Sequence, residues 1–368
     1  MYHCNKYSEE LISFGGRFVV KSIVKVIVGM SGGVDSSVAA YLLKEQGFDV
    51  SGVFFKLFKE DDGQSRYCNL RSAYEAAEII GIPFETIDVS KEFQTDVFNY
   101  FLESYKKGLT PNPCTVCNER IKFGIGFDKG REIFGESLFA TGHYVIIERK
   151  EGSIHLRKGR DKTKDQSYML WRLERNLLEK VVLPLGEFTK DRVREIASSI
   201  SVVAGEESED LCFVKGTFTN FIKSLVGEKK GEIVNTEGKV LGEHRGAYLY
   251  TIGQRSGLGV SSCEPLYVVE IDANENRVIL GSRRECYSNY ATLSEVNFIE
   301  DYNGEPVALT GKVRYRGEES PCTLKREGGV FVVDFNVPQF AITPGQSLVL
   351  YKGDTVFGGG VIMKVRRN

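Results

Sequence analysis

The stretch VIVGMSGGVDSSVAAYLL, from Val26 to Leu43, decides the fold of the first half of this 368-residue chain. Its apolar start predicts a buried strand, and the pattern over 35–46 predicts a helix with one apolar side. Three glycines, Gly29, Gly32 and Gly33, let the backbone pass close to a ligand, and the N–H groups at a helix start favour an anion. The stretch therefore predicts a phosphate-binding loop.

The loop lacks the lysine of the Walker A pattern, because it ends in Gly-Val-Asp-Ser rather than Gly-Lys-Ser/Thr. Backbone and serine contacts are expected to hold pyrophosphate, with Mg²⁺ as the countercharge and Asp35 as its candidate ligand. SGGVDS resembles the pyrophosphatase loop of enzymes that cleave ATP between the α- and β-phosphates and transfer AMP to a carbonyl or carboxyl oxygen. A glycine-rich strand–helix turn without a ligand is the alternative.

Composition and charge indicate a soluble globular protein of two or three domains, with 42% hydrophobic and 27% charged residues and a net charge of −2. This balance excludes a chain that coats nucleic acid wholesale, although local basic surfaces remain compatible with it. Residues 1–22 lack a clean apolar run, and lysines interrupt the apolar run at 18–30, so no secretory signal or membrane span is predicted. We expect a cytoplasmic protein whose eight cysteines are reduced, catalytic or metal-bound.

Strand and helix patterns alternate through the first half, which implies a parallel sheet covered on both faces. Short alternating runs and many glycines follow after about residue 227, and they predict small β domains with a compact barrel at the C-terminus. The predicted strands of the first half are 24–28, 50–55, 84–89 and 138–140, with helices at 35–46, 70–80, 91–107 and 116–127. Those of the second half include 267–271, 277–280, 311–315, 330–335, 347–351 and 360–365.

Two cysteines at C-x-x-C spacing, Cys114 and Cys117, lie around a predicted helix start, with Thr115 as a candidate cap. The positive end of a helix lowers the pKa of a thiol from its ordinary value of about 8.5, and Cys117, in the first turn, is best placed to react. The alternatives are half a zinc site, for which no second pair follows at finger spacing, and two incidental thiols. Cys212 is a structural cysteine unless a thiol partner and an adenylating site share its domain.

Eight motifs in register resemble the tRNA-specific 2-thiouridylases, from about residue 24 to the end of the chain. The motifs are GMSGGVDSS, the strand end Phe55-Lys56, TPNPCTVCNERIKF, ATGHY, KDQSYML, EDLCFVKG, YTIGQRSGLG and TPGQS. The resemblance implies an α/β fold: a Rossmann-like adenine nucleotide alpha hydrolase domain with a parallel sheet, a small central domain and a C-terminal β-barrel. The implied division is an N-terminal extension at 1–23, an ATP pyrophosphatase catalytic domain at 24–216, a central tRNA-contacting domain at 217–283 and the barrel at 284–368.

The same resemblance implies ATP-dependent thiolation of the wobble uridine of tRNA at C2, with sulfur relayed by a donor protein. Cys117 matches the catalytic nucleophile and Cys212 the persulfide carrier, while His143 and Gln346 match positions that support activity. The implied ATP contacts are Gly29, Met30, Ser31, Gly32, Gly33, Val34, Asp35, Ser36, Phe55 and Gly142. The implied tRNA contacts are Asn112, Pro113, Cys114, Lys164, Asp165, Gln166, Arg314 and Tyr315.

The chemistry agrees with these residues, because AMP on the C2 oxygen makes a leaving group that sulfur displaces. A persulfide on Cys212 attacks C2 or releases hydrosulfide that does, and Cys117 resolves it through a transient disulfide. Two departures from the family matter. Cys114 is often aspartate in relatives, so Cys114, Cys117 and Cys212 are also candidate ligands of an iron–sulfur cluster with an open iron site. Residues 205–207 are acidic where relatives often carry a lysine.

Two basic stretches contain family tRNA motifs: residues 148–172 have eight Lys/Arg against four Asp/Glu, and residues 310–368 have nine against five. Discrete basic patches suit a folded RNA, and the wobble base must leave its stack to react, so the predicted partner is the anticodon stem-loop. Competing hypotheses are another ATP-splitting tRNA sulfurtransferase that makes 4-thiouridine or 2-thiocytidine, an amidating synthetase, and a non-catalytic RNA-binding or iron–sulfur protein.

Overall fold

A computed structural model describes residues 24–58, 70–150, 152–202, 211–214 and 217–366. Among these residues, no helix is both long and apolar enough to cross a membrane. The strands are β1 (Lys25–Gly29), β2 (Asp49–Lys56), β3 (Phe84–Asp88), β4 (Leu138–Ala140), β5 (Val145–Lys150), β6 (Ser153–Lys158), β7 (Val181–Val182), β8 (Gly231–Asn235), β9 (Val240–His244), β10 (Tyr267–Asp272), β11 (Arg277–Gly281), β12 (Tyr287–Phe298), β13 (Val307–Lys312), β14 (Ser320–Glu327), β15 (Val330–Phe340), β16 (Ser347–Lys352) and β17 (Thr355–Arg366). The helices are α1 (Val34–Glu45), α2 (Leu70–Ile80), α3 (Ser90–Phe93), α4 (Asn99–Lys106), α5 (Pro113–Val116), α6 (Gly126–Phe134), α7 (Arg175–Leu178), α8 (Lys190–Ser199) and α9 (Phe218–Val226), with π-helical segments at Gln94–Phe98 and Cys117–Ile125.

The first half forms a parallel sheet in the order β3-β2-β1-β4-β7, as predicted. Alternate residues of β1 enter two different cores, because side chains along a strand point to opposite faces. Val26 and Val28 pack with residues of α1 and α2, whereas Ile27 packs with Phe127 of α6 and Phe139 of β4 on the other face. Each fully buried side chain of this kind contributes about 1.5–3 kcal/mol, so the sheet is stabilised from both sides.

The order of the strands places a crevice between β1 and β4. The chain runs from β1 to β2 and β3 on one side, and continues with β4 and β7 on the other. Ligands of open parallel sheets bind at such a reversal, outside the carboxyl ends of the strands. Val28 of β1 lies beside Ala140 of β4, so the loops that follow these two residues meet at this edge.

Two β structures follow in the second half. The sheet β10-β11-β8-β9 surrounds a small core that includes Ile233, Val268 and Leu280. The strands β12-β15-β14-β13-β16-β17 form a barrel, which the pairing of β12 with β17 closes. The predicted barrel is thus confirmed, but the predicted strand 311–315 is wrong at its end. β13 stops at Lys312, and residues 313–316 turn away, with Gly317 N–H donating to the carbonyl of Arg314.

A hairpin from the first half joins the barrel sheet. β5 and β6 pair with each other, and Arg157 of β6 lies opposite Thr355 of β17. Lys158 also donates to Glu319 of the barrel at 2.9 Å. The sequence analysis did not predict this contact, which fixes the barrel against the domain that carries the predicted phosphate loop.

Candidate active site

The loop between β1 and α1 is folded by its own serines. Gly32 has a φ of +79°, which side chains other than glycine rarely adopt. The hydroxyls of Ser36 and Ser37 both donate to the carbonyl of Gly33 at 3.1 Å, and the N–H of Ser31 donates to Ser36 Oγ at 3.1 Å. Gly33, the residue before the helix, provides no capping side chain. The first N–H groups of this 12-residue helix are therefore suited to an anion.

The loop after β4 forms the second wall of the crevice. A Cβ placed on Gly142 would lie 2.7 Å from the carbonyl carbon of Asp35 and from the nitrogen of Ser36. Gly142 is therefore in direct contact with the first turn of α1, and any side chain there would separate the two walls. The resemblance to 2-thiouridylases placed Gly142 and Asp35 at one site, and the structure brings them together.

Phe55 lies at the end of β2 beside the same edge. Its ring is next to Gly29, and a Cβ on Gly126 would lie 2.6 Å from Phe55 Cε1, so the glycine leaves room for the ring. The side chain of Met30, by contrast, is buried against Gly52 of β2, and its N–H donates to Val53. Contact between Met30 and a nucleotide would therefore come from its backbone.

Asp35 does not have the surroundings of a Mg²⁺ ligand. Its two carboxylate oxygens accept from Lys190 Nζ at 2.8 and 2.9 Å, and one of them also accepts from the Tyr144 hydroxyl at 2.7 Å. No group of three His, Cys, Asp or Glu side chains among the described residues is arranged to hold a metal ion. The expectation that Asp35 binds Mg²⁺ does not fit this arrangement, because a lysine 155 residues away already neutralises the carboxylate.

The segment with the paired cysteines begins its helix one residue before Cys114. Pro113 occupies the first helical position, which suits its fixed φ and missing N–H. Cys114 is therefore in the first turn and Cys117 in the second, where it starts a π-helical segment and is 6% exposed. Thr115 is inside the helix and donates to the carbonyl of Asn112 at 2.9 Å. The predictions that Cys117 lies in the first turn and that Thr115 is the cap are wrong.

The helical segment that Cys117 begins runs beside the crevice. Phe123 of this segment packs against Phe139 of β4, with ring centres 5.3 Å apart, and against the ring of His143 at 5.9 Å. His143 belongs to the loop that contacts α1, so the cysteine segment and the phosphate loop border the same loop. This arrangement brings a thiol-bearing helix to the predicted nucleotide site.

Cys212 is half-buried against the hydrophobic core that contains Cys117. Its neighbour Phe213 packs edge-on against Phe101 at 5.1 Å and contacts Phe93 at 5.9 Å. Among the described cysteines, no disulfide joins Cys117 to Cys212. Among the described residues, Cys114, Cys117 and Cys212 are not arranged as a metal-binding group. The acidic run at 205–207 lies outside the described residues.

The three segments expected to meet tRNA converge on Tyr168, which is fully buried. The Tyr168 side chain interacts with that of Asn112, and its ring centre is 5.8 Å from that of Tyr315. The hydroxyl of Tyr315 in turn donates to the carbonyl of Asp165 at 3.3 Å. Segments distant in the sequence therefore form one surface next to the cysteine helix.

Two of the predicted tRNA contacts have internal roles. The Asp165 carboxylate accepts from the N–H of Gly159 at 3.0 Å and from the Ser167 hydroxyl at 2.8 Å. The Gln166 side chain accepts from the N–H of Tyr144 at 3.0 Å. These side chains shape the turn, whereas Arg314 is exposed and Lys164 partly exposed. Phosphate contact by the two cations is expected, whereas the side chains of Asp165 and Gln166 also make hydrogen bonds within the chain.

Gln346 acts on the segment before the cysteines. Its Nε2 donates to the carbonyl of Thr110 at 3.0 Å and lies 3.4 Å from that of Pro111. The N–H of Thr110 donates to the carbonyl of Pro344 at 3.0 Å, and Gly345 packs on the Thr110 backbone. The barrel therefore fixes the residues that lead into α5, which gives a physical reason for the expected importance of Gln346.

His143 is held as a neutral imidazole. Its Nδ1 lies 2.7 Å from Thr141 Oγ1, and its ring packs on Phe123. Burial, with a smaller contribution from the nearby Lys122 ammonium, lowers the pKa of His143 from 6.5 to about 3. The ring is neutral at neutral pH, so it can exchange a hydrogen bond at the crevice but carries no charge to a phosphate there.

Comparisons with known proteins agree with this arrangement. Residues 24–216 match the tRNA methyl transferase HUP domain family, 219–282 the tRNA methyl transferase PRC-barrel domain and 288–362 the aminomethyltransferase beta-barrel domain. The tRNA-specific 2-thiouridylase MnmA of Clostridioides difficile is 42% identical over 355 residues, which cover 92% of this chain and 98% of that protein. MnmA 1 of Caldanaerobacter subterraneus subsp. tengcongensis is 44% identical over 92% of this chain and 98% of its own. The chain belongs to the tRNA-specific 2-thiouridylase family.

Membership of the 2-thiouridylase family confirms the resemblance inferred from the eight motifs. The three matched regions correspond to the parallel-sheet domain, the small central domain and the closed barrel, so the predicted fold class is also confirmed. The tRNA-specific 2-thiouridylase MnmA of Trichormus variabilis is 42% identical over 92% of this chain and 98% of that protein.

Several residues of this 2-thiouridylase that shape the site were missed by the sequence analysis. Arg172, whose side chain is 5% exposed, pairs with Glu119 in the Cys117 segment and with Glu295 of β12. Tyr168 lies in the KDQSYML motif, so the sequence pointed to this residue, but no role was predicted for it. Lys190 had no signal, since nothing in TKDRVREI indicates a contact with a loop 155 residues earlier.

The low pKa of His143 predicts how stability depends on pH. The unfolded chain takes up a proton below the ordinary pKa of 6.5, whereas the folded chain resists it until about 3. The stabilisation is fully present above 6.5 and is lost as pH falls from there, by at most about 1.4 kcal/mol per pH unit. A His143→Gln variant is expected to lose stability less steeply over this range, as measured by denaturant unfolding at several pH values. If the free energy of unfolding fell equally steeply with pH in the variant and the parent chain, His143 would not have a lowered pKa in the folded chain.

Proposed function

We propose that this chain transfers sulfur to C2 of the wobble uridine of tRNA and cleaves ATP to AMP and pyrophosphate. The observation that carries the proposal is the shared wall of the crevice. Phe123, in the segment that begins with Cys117, packs on His143, and the His143 loop lies against the start of α1. The segment that begins with Cys117 and the start of α1 therefore contact the same loop, which supports a reaction in which both act on one base.

The first step in this proposal activates the base. The C2 oxygen of the uridine attacks the α-phosphorus of ATP, a C2–O–P bond forms, the bond between the α-phosphorus and the bridging oxygen breaks, and pyrophosphate leaves. The N–H groups at the start of α1 and the hydroxyls of Ser31 and Ser36 are placed to bind the phosphates. The C2 oxygen is a poor leaving group by itself, and the bound AMP makes it a good one.

The second step replaces oxygen with sulfur. The terminal sulfur of a Cys212 persulfide attacks C2, the C2–O bond breaks, and AMP leaves with the electron pair. The Cys117 thiolate then attacks Cys212 Sγ, the S–S bond breaks, and 2-thiouridine is released beside a Cys117–Cys212 disulfide. A cellular thiol supplies two electrons to reduce this disulfide, and a persulfide-bearing donor protein reloads Cys212. Hydrosulfide released from Cys212 is the alternative nucleophile. The support is the common core that both cysteines contact.

The proposal assigns a role to each part of the chain. Residues 24–216 bind ATP and carry the thiols, while 217–283 and 284–368 hold the tRNA, and 1–23 precede the catalytic domain. The surface around Tyr168, with Lys164 and Arg314, receives the anticodon stem-loop. Because the substrate is tRNA, we place the reaction in the cytoplasm.

Pyrophosphate release from ATP tests this function directly. We expect release to be stimulated by tRNA with a wobble uridine, and to fall to the background rate with the same tRNA carrying cytidine at that position. A tRNA fragment without the anticodon loop should not be thiolated. Stimulation by a free carboxylic acid instead of tRNA would indicate a synthetase, and normal thiolation of the fragment would contradict the proposed substrate.

A further inference from the structure

A buried lysine from a distant helix lies at the phosphate loop that has none of its own. Lys190 is the first residue of α8, and its side chain is 8% exposed. Its Nζ donates to both oxygens of Asp35, at 2.8 and 2.9 Å. Asp35 is in the first turn of α1, whose N–H groups are expected to bind the phosphates of ATP. The lysine therefore pairs with the acidic residue in the helix turn that is expected to bind the phosphates.

Asp35 by itself would oppose phosphate binding. A carboxylate in the first turn of α1 cancels much of the positive potential that the helix start provides, and two anions a few ångströms apart repel strongly where solvent is limited. The side chain of Asp35 is about one third exposed, at 34%, so water screens its charge only in part. An ammonium ion at hydrogen-bond distance removes this repulsion.

The surroundings hold Lys190 in this position. The N–H of Lys190 donates to Asp161 at 3.0 Å, which ties the start of α8 to the turn after β6. The Tyr144 hydroxyl also donates to Asp35, and burial and this hydrogen bond raise the pKa of Tyr144, so it stays a donor. Lys190 Nζ lies 5.9 Å from the centre of the Tyr144 ring. Asp35 therefore accepts from one ammonium group, on α8, and from one hydroxyl, on the residue before β5.

We propose that Lys190 is a positioning residue of the nucleotide site: it neutralises Asp35 so that a loop without its own lysine can hold the phosphates of ATP. This inference rests on the proposed ATP-dependent function and adds to it the source of positive charge. If the ion pair only joined α1 to α8, its loss would lower the stability of the fold. It would not weaken ATP binding more than tRNA binding.

The test is a double-mutant cycle at residues 35 and 190, with the full chain and ATP. Lys190→Met is expected to raise the KM for ATP and the Kd of ATP roughly 10- to 100-fold, with a smaller change in the KM for tRNA. In an Asp35→Asn background, Lys190→Met is expected to raise the Kd of ATP less than about threefold, because no carboxylate is left to neutralise. Lys190→Arg should keep most of the affinity.

Arg192→Met is the matched control, because it removes one cation from the exposed face of the same helix, where Arg192 pairs with Glu195. It is expected to leave ATP affinity unchanged. Thermal unfolding without ATP shows which variants are folded, and the double variant, which leaves no buried unpaired charge, keeps the test valid if Lys190→Met unfolds.

The outcomes separate this inference from the function itself. An equal loss of ATP affinity from Lys190→Met in both backgrounds, or no loss in either, would overturn the role of Lys190 while parent-chain thiolation still supported the function. Failure of the parent chain to thiolate tRNA, with the cycle as expected, would overturn the function and keep the role of Lys190 in ATP binding.

Discussion

Serine in place of Cys117 or of Cys212 is expected to lower tRNA thiolation by a factor of about 10³ or more, with little change in ATP binding. A serine hydroxyl has nearly the shape of the thiol but cannot carry a persulfide or attack one at neutral pH. Because adenylation precedes sulfur transfer in the proposed reaction, pyrophosphate release stimulated by tRNA should persist in both variants. The measurements are 2-thiouridine formation, pyrophosphate release and ATP affinity for the same preparations.

Two further cysteine variants act as controls. Cys263 is exposed in the central region, and Cys263→Ser is expected to retain full thiolation. Cys114→Asp is expected to retain sulfur insertion if a persulfide is used. A loss as large as that of Cys117→Ser would favour the cluster of three cysteines and contradict the persulfide route, as would iron and acid-labile sulfide in an anaerobic preparation.

Local patterns were sufficient to predict the first half of the fold. The apolar run of β1 is buried on both faces, and a run of this kind belongs to a parallel sheet. The end of α2 at Ile80 follows from Gly81, which has a φ of +70°, and from Pro83. The predicted helix at 116–127 started three residues too late, although proline at the first helical position is a local signal of a helix start.

The candidate site was predictable as a set of residues but not as an arrangement. Motif order identified Gln346 and Asp165, yet their partners lie elsewhere in the chain: Gln346 contacts Thr110 across 236 positions, and Tyr315 contacts Asp165 across 150. Nothing local in the sequence specifies such pairs, since they depend on how the barrel docks. The same reason explains why Asp35 was taken for a Mg²⁺ ligand and Lys190 was missed.

A large loss of thiolation activity is also expected from Gly345→Ala, at the contact between the barrel and the segment that leads to the cysteines. Gly345 has a φ of +91°, and a Cβ there would lie 2.9 Å from the nitrogen of Thr110 and 3.0 Å from its oxygen. Gly345→Ala therefore adds backbone strain of about 1 kcal/mol and also pushes the backbone at Thr110 away. The hydrogen bonds from Thr110 N–H to Pro344 and from Gln346 to Thr110 would be lost or lengthened.

Because Thr110 leads directly into the helix with Cys114 and Cys117, this shift should reach the chemistry. A displacement of about 1 Å of a reacting group costs up to about 10²-fold in rate, so we expect kcat/KM for tRNA thiolation to fall roughly 10- to 100-fold in Gly345→Ala, with ATP affinity maintained. The measurements are steady-state thiolation, ATP binding and thermal unfolding.

Gly304→Ala is the control that separates displacement of the Thr110 backbone from backbone strain at the substituted glycine. Gly304 lies in the turn between β12 and β13 of the same barrel with a φ of +90°, and a Cβ there meets no atom within 4 Å. This variant should lose a similar amount of stability, about 1 kcal/mol, but keep full thiolation activity. If the two alanine variants lost activity equally, general loss of barrel stability would explain both. If Gly345→Ala kept full activity, the barrel would not position the cysteine segment, and the expected role of Gln346 would need another cause.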